Sequence, residues 1–306
     1  AACGRGRKGT MFKKWKQKNR ADRIFDVFNY LVLGLLGLMV LYPLYFIVIA
    51  SVSDPVAINN GQVRLLPMGF NLDGYRKILE DGKIWTAYNN TVFYTVVGTS
   101  VNIILTMLIA YPLSRQNFFI RRGLMAFMMF TMYFQGGMIP TYLLMQKLNL
   151  YNTPWVMILL PAINVFNVII ATSNIRENIP NELYEAASID GCSHFGFFFK
   201  MVLPLSKTII TVLVLYYGVA HWNEYMNGLI YLRDQSLQPL QIVLRNILMQ
   251  NQVSAMGDID SILEQQKAAE LIKYGLIIVS TLPVLVVYPF LQKHFNQGTM
   301  LGSVKG

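Results

Sequence analysis

Glu185-Ala186-Ala187, then Asp190-Gly191, then Leu203-Pro204 form the segment best suited to a directed interaction. A carboxylate offers a charge-assisted hydrogen bond, stronger than a neutral one and selective for a cationic partner. The two alanines beside it leave a small, flat helical face that another protein can approach closely. Pro180 suits the first turn of a helix, where its missing N–H has no intrahelical partner, with Asn178 as the cap. Glu182 and Glu185 then stand near the positive end of that helix's dipole. Gly191 can take the left-handed conformation that ends a helix, and Ser193 can cap a second short helix running through Phe199. Read locally, a solvated loop whose alanines merely favour helix accounts for the same residues.

The elements that must position this segment are apolar. A bilayer core of about 30 Å takes about 20 apolar residues in a helix. Six stretches approach that length: Val27–Ala50, Thr86–Leu113, Gly123–Leu144, Pro154–Ile175, Ser206–Ile230 and Leu271–Leu291. Residues 176–205 are therefore a polar insert between the fourth and fifth. Pro43, Pro112, Pro161, Pro283 and Pro289 fall inside or near the ends of spans, where neighbouring helices can satisfy the freed carbonyls. With the N-terminus inside, the inner segments 1–26, 114–122, 176–205 and 292–306 carry nine, three, two and two Lys or Arg. The outer segments 51–85, 145–153 and 231–270 carry four, one and three. That excess of basic residues predicts an N-in, C-in topology. Pro55, Gly61, Pro67, Gly69 and Gly74 make 51–85 a turn-rich folded loop. The 231–270 loop is expected to hold a short helix around Pro239–Met249 and an acidic end at Asp258, Asp260 and Glu264.

Composition agrees. The chain is 54% hydrophobic and 14% charged, against about 25% charged in soluble domains, which excludes an ordinary soluble globule. The net charge of +10 is concentrated: nine Lys or Arg lie within the first 26 residues, immediately before an apolar run. That is how a span is held with its N-terminus in the cytoplasm, so a nucleic-acid surface is not the reading. Residues 1–10 read as a vector-derived leader ahead of Met11, and 11–26 as a basic cytoplasmic N-terminus. A six-span membrane domain follows over 27–291, with 292–306 as a cytoplasmic tail. Cys3 and Cys192 have no partner at metal-ligand spacing; no metal site is expected, and Cys192 reads as a small packing residue.

The 185–204 segment resembles the EAA loop of bacterial ABC importer permeases: Glu-Ala-Ala, three residues, Gly, nine residues, a branched apolar residue, one residue, Leu-Pro. Here Met201 stands where that pattern has isoleucine. Beyond the loop, the chain resembles carbohydrate-type ABC permeases, the class of the smaller maltose permease subunit, over nearly its whole length after Met11. Trp222-Asn223-Glu224-Tyr225 matches an aromatic-Asn-Glu-aromatic stretch of that class. The tail from Phe290-Leu291-Gln292-Lys293 to Gly302-Ser303-Val304-Lys305-Gly306 matches its ending, with Ser303 in place of alanine. After Ser206-Lys207, Thr208 stands in place of a common proline. Gln135-Gly136-Gly137-Met138-Ile139-Pro140-Thr141 is similar to the complex-oligosaccharide branch.

The resemblance implies an all-α fold: a polytopic protein with six transmembrane helices, of the type I ABC importer permease kind, in the bacterial plasma membrane. It implies a second, homologous permease subunit, two ATPase subunits on the cytoplasmic side and an external solute-binding protein that delivers a di- or oligosaccharide, including acidic polysaccharide fragments. Glu185, Ala186, Ala187, Asp190 and Gly191 would couple the chain to an ATPase subunit. ATP and Mg would bind those partners, since this chain has no Gly-x-x-x-x-Gly-Lys loop and is not read as an enzyme.

Polar residues within spans face a partner helix or an aqueous cavity. Sugar recognition needs amides and carboxylates for hydroxyls and aromatic faces for the C–H surface of the ring. Trp222, Asn223, Glu224 and Tyr225 supply both, and Asn164 and Asn167 are further candidates for the substrate path. Two readings are open for them: sugar contact, or bonding to neighbouring helices together with an interfacial aromatic belt. Asn102, His221 and Asn227 are the other polar residues expected within spans. By the resemblance, the outer loop before the last span would reach into the binding protein's cleft, with Gln250, Asn251 and Gln252 as the contact. The alternative class is a stand-alone secondary transporter or channel. Such proteins show internal repeats and intramembrane charges, and here no repeat is seen and Glu224 is the one intramembrane acid expected.

Overall fold

The computed structural model describes residues 19–253 and 272–289. The leader, the tail with Lys305 and Gly306, and the acidic stretch of Asp258, Asp260 and Glu264 lie outside the described residues. Every regular element among the described residues is helical. The chain divides into two compact units, one within 1–72 and one within 73–306.

The first unit is built on α1 (Arg20–Ala50), the first predicted span. The chain after it folds back on the end of this helix. Asp54 N–H donates to Met68 O at 2.9 Å, and Asn71 N–H donates to Val52 O at 2.9 Å. Tyr42 and Tyr45 donate their hydroxyls to the carbonyls of Arg64 and Leu65. Ile49, Ala57 and Val63 form a small core between these strands of chain and the short helix α2 (Pro55–Asn59). Gly69, at φ +63°, leaves only 2.9 Å between the place of a Cβ and Asp54 Cβ, so this return of the chain needs glycine.

The second unit begins with α3 (Asp73–Glu80) and is organised around α4 (Gly82–Ser114), a helix of 33 residues capped by the Asp81 carboxylate on Lys83 N–H at 2.9 Å. The predicted third, fourth and fifth spans are each broken. The third is α5 (Arg121–Tyr133) and α6 (Met138–Lys147), interrupted at Gly136-Gly137, where Gly137 takes φ +90°. The fourth is α7 (Pro154–Leu159) and α8 (Val165–Asn178), interrupted around Pro161. The fifth is α9 (Lys207–Trp222) and α10 (Met226–Tyr231), interrupted at Asn223-Glu224-Tyr225. Among the described residues, three helices are therefore long and apolar enough to cross a membrane unaided: Ile24–Ala50 within α1, α4, and α11 (Ile272–Pro289). The chain from His194 to Leu205 joins α9 at a bend of 78° and makes a fourth candidate.

The break in the predicted fourth span is satisfied internally, as hydrocarbon requires. Asn102 on α4 donates Nδ2–H to Pro161 O at 2.6 Å, and its Oδ1 lies 3.0 Å from His221 Nε2. Tyr217 Oη accepts from Asn164 N–H at 3.4 Å and shares a 2.7 Å hydrogen bond with Thr106 Oγ1. Gly98 makes room for His221: a Cβ there would stand 2.5 Å from the imidazole ring.

Candidate functional site

The segment 179–206 is held by local turn chemistry. Pro180 occupies the cap position in extended conformation (φ −62°, ψ 156°), and Asn181–Ile189 forms a nine-residue helix. The sequence expectation differs in register: Asn178 is no cap but the last residue of α8, its Nδ2–H on Asn174 O at 2.9 Å. The reason is the ring at Pro180, which drives the residue before it out of helical conformation. Gly191 takes φ +78°, its N–H donating to Ser188 O at 3.1 Å, and Cys192 N–H donates to Ala187 O at 2.9 Å. Ser193 Oγ then accepts from Gly196 N–H at 3.1 Å and starts the next helix, His194–Phe197. A π-helical turn, Phe198–Val202, continues it into Leu203–Leu205. Pro204 falls in that last turn's opening position, where no N–H is needed.

The base of this loop is buried. Ala187, Phe197, Phe198 and Val202 join Met107, Ala110, Ile175 and Leu213 in one hydrophobic core. Glu185, Ala186 and Asp190 are exposed, and Ile189 is 87% exposed. Helical geometry explains the division, since Leu183 and Ala187 share the inner face while Glu182, Ala186 and Ile189 share the outer one. The two alanines thus do different things. Ala186 is available to a partner, whereas Ala187 belongs to the protein's own core, which corrects the expectation that both serve close approach. The outer face includes Ile189, which the motif does not mark; a large apolar side chain left 87% exposed beside Glu185 is the signal.

Arg115, one residue past α4, ties this loop to the spans. Its guanidinium carbon lies 5.0 Å from the Tyr111 ring centroid, 5.2 Å from Phe197 and 5.7 Å from Tyr184. Its Nη1 reaches Asn181 Oδ1 at 3.5 Å, while Nε and Nη2 are buried against the rings without a hydrogen-bond acceptor. That burial pushes its pKa down from the ordinary arginine value, opposed by Tyr111, yet arginine stays charged in proteins. Beside it lies a cavity of about 640 Å³ lined by Glu185, Asn181, Tyr184, His194 and Phe195 among others.

The residues proposed for a substrate path are not all free to act on one. Trp222 is only 6% exposed; its Nε1–H donates to Ser280 O at 2.8 Å and its ring meets Tyr88 edge-on at 5.9 Å. Its hydrogen bond and much of its face are thus taken up in joining α9 to α11. Asn223 donates to Val219 O at 2.9 Å, and Glu224 Oε1 accepts from Asn227 N–H at 2.9 Å, capping α10. Tyr225 is 41% exposed. Asn164 is exposed and caps α8 through Asn167 N–H at 3.2 Å, whereas Asn167 is buried. Gln250, Asn251 and Gln252 lie in the last turn of a helix, Leu240–Val253, rather than in a flexible loop; their side chains lie outside the described residues, as does 254–271.

Comparisons with known proteins agree with this architecture. Residues 102–301 match the family described as binding-protein-dependent transport system inner membrane component. The polygalacturonan/rhamnogalacturonan transport system permease protein YtcP of Bacillus subtilis is 43% identical over 290 residues, 93% of this chain and 99% of that one. Protein LplC of the same organism is 39% identical, covering 94% of this chain and 97% of its own. A crystal structure of a bacterial ABC transporter involved in the import of the acidic polysaccharide alginate contains a chain that superposes with a TM-score of 0.83. That chain is 33% identical, with 91% of this chain and 99% of the other covered. The match over 102–301, the identity along nearly the whole chain and the shared helical architecture place this chain in the family of binding-protein-dependent inner membrane components, the permease subunits of ABC importers.

Proposed function

We propose that this chain forms half of the translocation path of an ATP-driven importer for di- or oligosaccharides, with fragments of acidic polysaccharides as the favoured cargo. The cargo assignment is supported by YtcP, whose name specifies polygalacturonan and rhamnogalacturonan, and by the alginate importer. The coupling role is carried by one observation: Glu185, Ala186 and Ile189 are exposed on a short helix whose opposite face is part of the buried core. A force applied to that face is transmitted to α4, α8 and α9 together.

In this reading six spans run N-in and C-in across a bacterial plasma membrane as one domain over 27–291, the broken third, fourth and fifth each counting once. The coupling loop 176–205 faces the cytoplasm and the loops 51–85 and 231–270 face outward. Glu185, Ala186, Asp190 and Gly191 meet one of two ATPase subunits, where ATP and Mg bind. A second permease completes the path, and the outer end near Gln250, Asn251 and Gln252 meets the solute-binding protein. Asn223, Glu224, Tyr225 and Asn164 are the better candidates for contact with sugar, because Trp222 is committed to Ser280. The chain itself has no catalytic role. A family defined by dependence on a binding protein does not favour a stand-alone transporter or channel.

The test is ATP hydrolysis by the reconstituted complex, with and without binding protein, over oligogalacturonates, alginate oligosaccharides and neutral disaccharides. Stimulation by the acidic oligomers is expected, with a loss of about tenfold in Glu185→Ala as a charge-assisted contact disappears while the ATPase subunits stay bound. Stimulation by neutral sugars alone would overturn the cargo assignment. Hydrolysis indifferent to Glu185→Ala would overturn the coupling role.

A further inference from the structure

A second cavity, of about 270 Å³, lies between α5 and α8 and is lined at one end by Arg121, Arg122 and Arg176. No Asp or Glu lines it, and none of the three guanidiniums has an ion-pair or hydrogen-bond partner among the described residues. The two helices run antiparallel here, because the start of α5 and the end of α8 contribute to the same basic end. Along α5, Arg121, Met125 and Met129 follow at intervals of four and share one face. Along α8, Ile169, Thr172 or Ser173, and Arg176 do the same. The cavity is therefore graded, with guanidiniums at one end, hydroxyls beside them, and methionine and isoleucine beyond. The first turn of α5 has no side-chain cap, so its positive dipole end adds to the same field.

Arg121 is half-buried and Arg122 and Arg176 are exposed; three cations facing one cavity with no acid among them favour an anion there, and the grading specifies which kind. We propose that this cavity holds the phosphate of an anionic phospholipid headgroup, with the start of its acyl chains against Met125 and Met129. Arginine's planar fork suits phosphate oxygens bidentately, Ser173 supplies a further donor, and basic pockets between transmembrane helices are where anionic headgroups are recognised. A free phosphate would use the arginines but leave the methionine end without an occupant. The proposal rests on the chain being embedded in a membrane and not on its cargo or its coupling to ATPase subunits.

The experiment is native mass spectrometry of the complex, released from detergent after equilibration with equimolar phosphatidylglycerol and phosphatidylcholine. Wild type is expected to retain phosphatidylglycerol about tenfold or more over phosphatidylcholine, as arginines near an anionic headgroup each contribute several-fold. R121Q/R122Q/R176Q should lose that preference, R121K/R122K/R176K should keep only the part owed to charge, since an ammonium lacks the planar fork, and R233Q, outside the cavity, should leave it unchanged. Equal retention by wild type and the glutamine variant would overturn the site, as would an equal loss in R233Q. Displacement of phosphatidylglycerol by inorganic phosphate at comparable concentration would overturn the lipid and leave a free-anion site.

Discussion

His221 is buried beside Gly98 and bonded to Asn102, and that triplet shows how one atom can decide a helix contact. Gly98→Ala would drive a methyl group into the imidazole, which the bond to Asn102 keeps from swinging away. Overpacking of this kind costs about 1–3 kcal/mol, so the thermal midpoint of the complex is expected to fall. His221→Ala alone should also destabilise, by about 1–3 kcal/mol, because it leaves the buried Asn102 Oδ1 without its partner. In the double variant G98A/H221A the methyl group has room, and the two losses should fall short of additive by more than about 0.5 kcal/mol. Strict additivity in a thermal or denaturant unfolding series would refute the steric account.

At the scale of the element, the helix Asn181–Ile189 presents two neighbouring alanines to opposite surroundings. Ala187→Leu should overpack the core beneath the helix and lower stability by about 1–3 kcal/mol. Ala186→Leu is on the surface and should change stability by no more than about 0.5 kcal/mol, yet it should weaken retention of the ATPase subunits on an affinity column. Similar effects from both substitutions would mean that the helix does not sit as described. Gly191→Ala is a third case. Its φ of +78° is strained for any residue with a Cβ, and a cost of about 1 kcal/mol is expected in the same unfolding assay. The turn chemistry behind this helix was legible in the sequence because Pro180, Gly191, Ser193 and Pro204 act on their own neighbours. The inward turn of Ala187 was not, since it depends on Phe197 and Ile175, which reach it only through the fold.

For the whole molecule, the orientation proposed above has a direct chemical check. With Cys3 and Cys192 replaced by serine, single cysteines at Lys147 and Gln235 should react with a membrane-impermeant maleimide added to intact cells. One at Asn117 should react only after permeabilisation. Labelling of Asn117→Cys from outside would invert the topology, and a difference between Lys147→Cys and Gln235→Cys would break the span count between them. What the sequence determined alone follows from short-range physics. Apolar stretches must leave water, and a Glu-Ala-Ala helix closes where glycine permits. What only the tertiary structure decided is where those apolar stretches break and which polar side chains are consumed in mending them. Gly136-Gly137, Pro161 and Asn223 interrupt apolar stretches whose hydropathy runs on past them. In hydrocarbon, the groups freed around Pro161 are tolerable because Asn102 and Tyr217 on other helices arrive to bond them. Trp222 is likewise joined to Ser280, 58 positions away, because a buried indole N–H needs an acceptor and hydrocarbon has none.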